Sequence, residues 1–162
     1  TLESHRHQAI LIGENLGMVP PVVNEMMQRH GLYQMHVMPF ETGGPPVDSI
    51  ACLNTHDLPP FKIFWRRLPR PDRAAIVERL GLSDDASPAD AVNAFLKKMA
   101  GSPAQLMIVS LDDLWLESRA HNKPGTVHTH PNWRRRSRYS LEKIEQMKTI
   151  QRLGEEITQW RQ

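Results

Sequence analysis

The sequence predicts an α/β fold on parallel strands, either a small open sheet or half of a (β/α)8 barrel. Three observations carry this. Short apolar runs alternate with helical patterns along the chain. Four of those runs, in "AILIGEN", "YQMHVMPFE", "SIACLNTHD" and "AQLMIVSLDD", lead to an acid, so the ends of the strands are expected to gather at one face. A full barrel averages roughly 31 residues per unit and starts from about 250 in total, so four strands make half of one. The first run begins almost at the N-terminus with no helix before it, which suggests a missing half.

Taken in order, "TLESHRH" (1–7) reads as a polar lead-in and Ala9 to Ile12 as the first strand. Pro20 to His30 form a helix, with Val22, Val23, Met26 and Met27 on its apolar side and Gly31 closing it. A proline at the first turn costs nothing, because its missing N–H would be unpaired there anyway. The strand at 34–39 is followed by "ETGGPPVD", which is too short for an ordinary helical crossover, and then by the strand at 49–53. Helices are expected from Pro60 to Arg67, from Asp72 to Leu80 before Gly81, and from the cap Ser87 with Asp90 three residues on to Ala100. After a strand at 105–109 comes a long loop, "ESRAHNKPGTVHTHPNWRRRSR". Ser140 then caps one final amphipathic helix carrying Leu141, Ile144, Met147, Ile150, Leu153, Ile157 and Trp160.

Composition bounds what such a chain can do. Its 162 residues make about one domain, large enough for a core. A net charge of only +2 argues against bulk nucleic-acid binding. The single cysteine, Cys52, lies in an apolar strand and reads as a buried thiol, and one cysteine excludes an internal disulfide. Without a signal peptide or a long apolar run, the expected location is the cytoplasm, with no membrane partner.

The acids at the strand ends are the candidates for chemistry, because α/β enzymes keep their reacting groups there. Glu14 follows an apolar run directly, before Gly17 and a Pro-Pro pair; Asp57 follows "LNTH" in the same way. For Glu14 a capping or salt-bridging role stands beside the catalytic one.

The segments "GENLGMVPPVV", "GLYQMHVMPFE", "NTHDLPPF" and "NKPGT…PNWRRR" resemble, in order, those of the 4-α-glucanotransferases, also called amylomaltases or disproportionating enzymes. The resemblance runs from residue 9 to about residue 139. It implies the C-terminal half of a TIM (β/α)8 barrel with parallel strands and extra helices. Residues 1–162 would be the C-terminal part of that catalytic domain, strands five to eight and the final helix, with the N-terminal half absent. The implied activity is retaining transfer of α-1,4-glucan segments between maltooligosaccharides, with no cofactor and no metal. A family Glu-Asp-Leu-Gly motif maps its acid/base onto Glu14, and a Thr-His-Asp motif maps its transition-state stabiliser onto Asp57. His56 and Asn122, in the last two motifs, become substrate-binding candidates.

Such chemistry needs two carboxyl groups about 5 to 5.5 Å apart across the glycosidic bond. Glu14 would have to be protonated near neutral pH, through partial desolvation or a nearby anion. The family nucleophile is an aspartate after the fourth strand, before this chain begins; none of Glu41, Asp112 or Asp113 matches its motif. The usual aspartate after the glutamate is Asn15 here. The fragment is therefore expected to be inactive alone, and to cover its apolar sheet edges with the missing half or by self-association. The alternative is a non-catalytic glucan-binding or structural half-barrel.

Other clusters have plainer readings. His121, His128 and His130 lack the partners and spacing of a metal site and read as a solvated loop. "WRRRSR" reads as a structural, salt-bridged stretch and Asp113 as a structural acid. The methionines at 26, 27, 35 and 38 read as core. Trp115 and Trp133 are placed equally well in a core or against a sugar.

Overall fold

The computed structural model describes residues 2–162. Its order is α1 (Leu2–His7), β1 (Ile12–Gly13), α2 (Pro21–Arg29), β2 (Tyr33–Val37), β3 (Ser49–Cys52), α3 (Phe61–Arg67), α4 (Arg70–Leu80), α5 (Pro88–Ala100), β4 (Leu106–Ile108), α6 (Leu111–Leu114), α7 (Leu141–Glu145) and α8 (Lys148–Trp160). The strands form one parallel sheet in the order β1-β2-β3-β4. Each strand therefore adds to the same edge as its predecessor, as in a barrel wall. All four C-terminal ends open on one side.

The register separates the sheet into two faces, since residues paired across a parallel ladder point the same way. Met35 pairs with Ile50 and Ile50 with Leu106, on one face; His36 pairs with Ala51 and Ala51 with Met107, on the other. The second face, through Ala51, Met107, Met38 and Leu53, packs on the helices. There Phe61 and Trp65 of α3, Ile76 and Val77 of α4, and Val92, Phe95, Leu96 and Met99 of α5 close the core. On the first face Val37, Ile50 and Cys52 are buried at the centre, while Ile12 and Ile108 on the outer strands are exposed. Burial pushes the Cys52 thiol up to about 11, so it stays protonated.

Local chemistry explains the helix ends. Ser87 and Asp90 form a reciprocal capping box at the start of α5, with Pro88 in the first turn. Gly81 closes α4 at φ 63°, a left-handed conformation that favours glycine. No helix joins β2 to β3. Arg79 of α4 holds that connection instead, donating to the Glu41 carbonyl and, at 3.3 Å, to that of Met38.

Four expectations need correction. The lead-in is a helix, α1, so a helix does precede the first strand; it pairs Glu3 with Arg6 at 2.9 Å but buries nothing. The first strand is Ile12–Gly13 rather than 9–12, because Gln8 at φ 50° ends the helix and the ladder to β2 begins only at Ile12. β2 stops at Val37, leaving Glu41 in an exposed loop beyond its end. The last helix is broken into α7 and α8 around Gln146 and Met147. Apolar residues at strict intervals of three drift about 60° per step on an α-helix, so one continuous helix would have spiralled them off the core. After the break, Leu153 and Trp160 of α8 reach the core.

The methionines divide: Met27 and Met38 are buried, whereas Met26 and Met35 are only partly so. No helix among the described residues is long and apolar enough to cross a membrane.

Candidate active site

Glu14 is the first residue after β1, directly following Gly13. A Cβ on Gly13 would lie 2.7 Å from the Met27 methyl group, so the end of the Met27 side chain rests against this position. Asn15 then ties the turn down: its Oδ1 accepts from the Met35 amide at 3.0 Å, and its Nδ2 donates to Asn24 at 3.1 Å and Gln34 at 3.4 Å. An aspartate there would keep the acceptor and lose the donors. The departure at position 15 thus has a structural reason. Glu14 itself is exposed.

The second acid is built into a tight turn after β3. Asn54 shapes that turn, accepting from the Thr55 amide at 2.8 Å and donating to the Pro59 carbonyl at 3.2 Å. Asp57 sits at its apex. The Asn122 amide donates to its Oδ1 at 2.6 Å, and His56 Nε2 lies 3.6 Å from its Oδ2. Three of the four candidate residues therefore meet at one point. In a barrel reading Glu14 and Asp57 are expected at the C-terminal ends of neighbouring strands; β2 instead separates β1 from β3, so the two strands end on the same side of the sheet but lie about 10 Å apart.

A third layer comes from β4 and the segment after it. Asp113, 1 % exposed, accepts from the Phe61 amide at 2.8 Å. It caps α3 from outside, where Pro60 provides no side-chain cap. Burial pushes its carboxyl up to about 6, against the opposing pull of the Phe61 amide and Asn54. Asp113 is structural, as its sequence position suggested. Its neighbour Asp112 faces the other way, meeting His121 Nε2 at 2.9 Å and Arg135 Nη2 at 3.1 Å.

Arg135 also pairs with the buried Glu117 at 3.2 Å, which joins the two ends of the loop carrying Asn122. Burial pushes the Glu117 carboxyl up, but the Ser118 amide, the Arg135 guanidinium and Arg119 together hold it below the usual glutamate range. Further in, the Trp133 amide donates to the His121 carbonyl at 2.9 Å, and Asn132 bonds Lys123 and Thr126. "WRRRSR" is thus salt-bridged through Arg135. Among the described residues no three histidine, cysteine or acidic side chains come together as metal ligands, and His128 is exposed.

Between the 54–58 turn and this loop lies a cavity of about 350 Å³, lined by Thr55, His56, Asp112, His121 and Trp133 among others. That is the lower end of the usual size for small-molecule sites. Of the four candidates His56 lines it, whereas Glu14, Asp57 and Asn122 do not. Sequence reasoning missed Glu117 as a member of the network and had Asp112 only as an acid after the last strand. An isolated acid in a polar loop carries no periodic signal, and only the basic run downstream hinted at a partner.

Comparison with known proteins gives a consistent picture. A family profile described as 4-alpha-glucanotransferase matches residues 1–142. A 4-alpha-glucanotransferase from Mycobacterium bovis is 31 % identical over 173 aligned positions, covering 82 % of this chain and 24 % of that protein. One from Haemophilus influenzae is 24 % identical, covering 82 % and 25 %. Amylomaltase from Corynebacterium glutamicum superposes with a TM-score of 0.73 over 95 % of this chain and 29 % of its own, at 22 % identity. Amylomaltase from Streptococcus agalactiae, solved in complex with acarbose, gives 0.72 over 91 % and 30 %, also at 22 % identity. The chain thus spans about a quarter of the length of the curated relatives it matches.

Proposed function

Since the chain belongs to the 4-alpha-glucanotransferase family, we propose that it forms the C-terminal part of a (β/α)8 catalytic domain that transfers α-1,4-glucan segments between maltooligosaccharides. β1 to β4 are strands five to eight of that barrel, and the preceding strands complete the wall. The observation that carries the reading is the Asp57 carboxylate, held by Asn122 and flanked by His56 at the C-terminal end of a parallel sheet.

In the reaction, a carboxylate supplied by the N-terminal half attacks the anomeric carbon while Glu14 protonates the departing glycosidic oxygen. Glu14, now a carboxylate, deprotonates the incoming sugar hydroxyl, which displaces the enzyme and restores the acid. Asp57 accepts hydrogen bonds from hydroxyls of the reacting ring, and these strengthen as oxocarbenium character grows. Asn122 orients Asp57, and His56 donates to the same sugar. The exposure of Glu14 fits this scheme if the other half of the barrel covers it and raises its proton affinity. The chemistry uses carboxyl groups alone and needs no cofactor, and the proposed location is the cytoplasm.

The exposure of Glu14 outside the cavity also favours a second reading, a non-catalytic half-barrel that only binds glucan. One experiment separates the two. The chain is incubated with maltotriose, with and without the N-terminal half, and glucose and longer oligosaccharides are measured. Transfer only in the assembled protein, reduced by about three orders of magnitude or more in Glu14→Gln with glucan binding retained, is the expected result. A loss of only a few-fold in Glu14→Gln removes Glu14 from the mechanism. No transfer in the assembled protein leaves the binding reading.

A further inference from the structure

Trp133 is the exposed tryptophan of this chain: it is 60 % exposed, whereas Trp65 is buried and Trp115 and Trp160 are partly covered. Its backbone lies at φ 61°, a left-handed conformation that costs a bulky side chain energy and is held only where the surroundings impose it. The surroundings do so here. Its amide is tied to the His121 carbonyl, the preceding Asn132 is bonded across the loop, and Arg135, two residues on, is anchored by Asp112 and Glu117. A strained, well-anchored residue that stays mostly exposed is an unusual use of a tryptophan.

What the anchoring achieves is the direction of the ring. It stands at the cavity wall with its centroid 5.7 Å from that of His56, in a cleft lined by the polar Thr55, His56 and Asp112 together with the apolar Leu58, Pro60 and Ile108. A flat apolar surface beside hydroxyl, imidazole and carboxylate groups matches a pyranose ring, which has C–H groups on its faces and hydroxyls around its rim.

We propose that Trp133 is a stacking platform for a glucose unit of the glucan, next to the unit contacted by Asp57 and His56. The proposal takes its ligand class from the reading above and adds a specificity-determining residue to it. The side chain binds rather than reacts, so its contribution falls on affinity and not on the chemical step.

The test uses the full-length protein, with Trp133→Ala and Trp133→Phe. Maltoheptaose binding is followed by calorimetry and by tryptophan fluorescence, and transfer kinetics are measured with maltotriose. Trp133→Ala is expected to weaken binding and raise KM by about tenfold, with kcat within about twofold of the parent. Trp133→Phe, which keeps a ring, should stay within about threefold in affinity and lose the fluorescence response. Binding by Trp133→Ala within twofold of the parent overturns the proposal. So does a Trp133→Phe protein as weak as Trp133→Ala, since the loop rather than the ring would then matter. If Trp133→Ala fails to fold, Trp133→Phe decides alone: an unchanged fluorescence response would show that the ring is not at the sugar. Maltoheptaose binding through Trp133 without any transfer sinks the transferase reading and leaves this one. Transfer with unaltered binding in both variants does the reverse.

Discussion

The segment from β3 to α5 and the segment from α1 to α2 belong to one sheet, yet they bury their apolar residues very differently. All four residues of β3 are buried, and α5 contributes Ala91, Val92, Phe95, Leu96, Met99 and Ala100 to the interior. In the first segment only Met27 is buried; Ile10 is 57 % exposed and Val22 56 %. The difference is one of position. β3 has a strand on each side and three helices above it, whereas β1 is an edge strand of two residues with a single neighbour. Asp57 thus hangs from the most deeply packed part of the sheet, and Glu14 from its exposed edge.

The comparison breaks first if truncation costs the same in both segments. Phe95→Ala should destabilise the chain by about 4 kcal/mol, through lost burial and the cavity left behind. Val22→Ala should stay within about 0.5 kcal/mol, because its side chain is already in water. Urea unfolding of both variants measures this, and comparable losses would mean that the two segments share one core.

A second prediction tests whether the loop at the site belongs with the deeply packed segment. Arg135→Met leaves the buried Glu117 with only the more exposed Arg119 as a cation, 3.8 Å away, and should cost about 3 kcal/mol near neutral pH. The Glu117 carboxyl is held below its ordinary range, so the stability it contributes is present above its unfolded pKa and is lost as the pH falls through the folded value. The penalty of Arg135→Met should therefore shrink in acid. A penalty that does not change with pH would show that packing by the arginine stem, not the ion pair, closes the loop.

Asp113 titrates in the opposite sense and gives a smaller effect. Its folded pKa of about 6 lies above the ordinary 3.8, so its contribution is fully present below the unfolded value and is lost as the pH rises through the folded one. The chain should lose about 2 kcal/mol from this group between about pH 4 and about pH 7. Asp113→Asn keeps an acceptor for the Phe61 amide and should flatten that slope, with only a mild effect on transfer. Thermal unfolding across this range decides it.

How much of this was legible in the sequence follows the same division. The deeply packed segment announced itself: Ser87, Pro88 and Asp90 spell a capping box, Gly81 a helix end, and the run around Cys52 a central strand. Such signals are local, so the chain carries them wherever it folds. The N-terminal unit misled because "AILI" is apolar enough for a four-residue strand, but an edge with one neighbour supports pairing only at Ile12 and Gly13. At the site, Asp57, His56 and Asn122 were named through motifs that lie far apart in sequence, and their meeting depends on a loop anchored by Glu117 and Arg135. Nothing local marks Glu117. A buried ion pair across a loop is a tertiary fact, and only the structure could supply the partner.

The smallest expected effect on stability is the one that sharpens the comparison most. Leu11, Val22, Val23, Met26, Met27, His30 and Leu32 line an open groove beside the β1 edge. If the N-terminal unit needs a neighbour to cover it, the isolated chain should self-associate through this surface, since apolar side chains and unpaired backbone groups lie together there. Leu11→Lys combined with Val22→Lys should change unfolding by no more than about 0.5 kcal/mol per site, because both positions are already exposed. The same pair should shift the sedimentation profile toward monomer, since charges on the apolar groove beside the edge strand oppose its burial. It should also weaken complementation by the N-terminal half in the maltotriose assay, although neither residue lines the cavity between His56 and Trp133. A chain that sediments as a monomer before and after the substitutions, with complementation unchanged, would mean that the edge at β1 is closed from within and that Glu14 needs no cover from another segment.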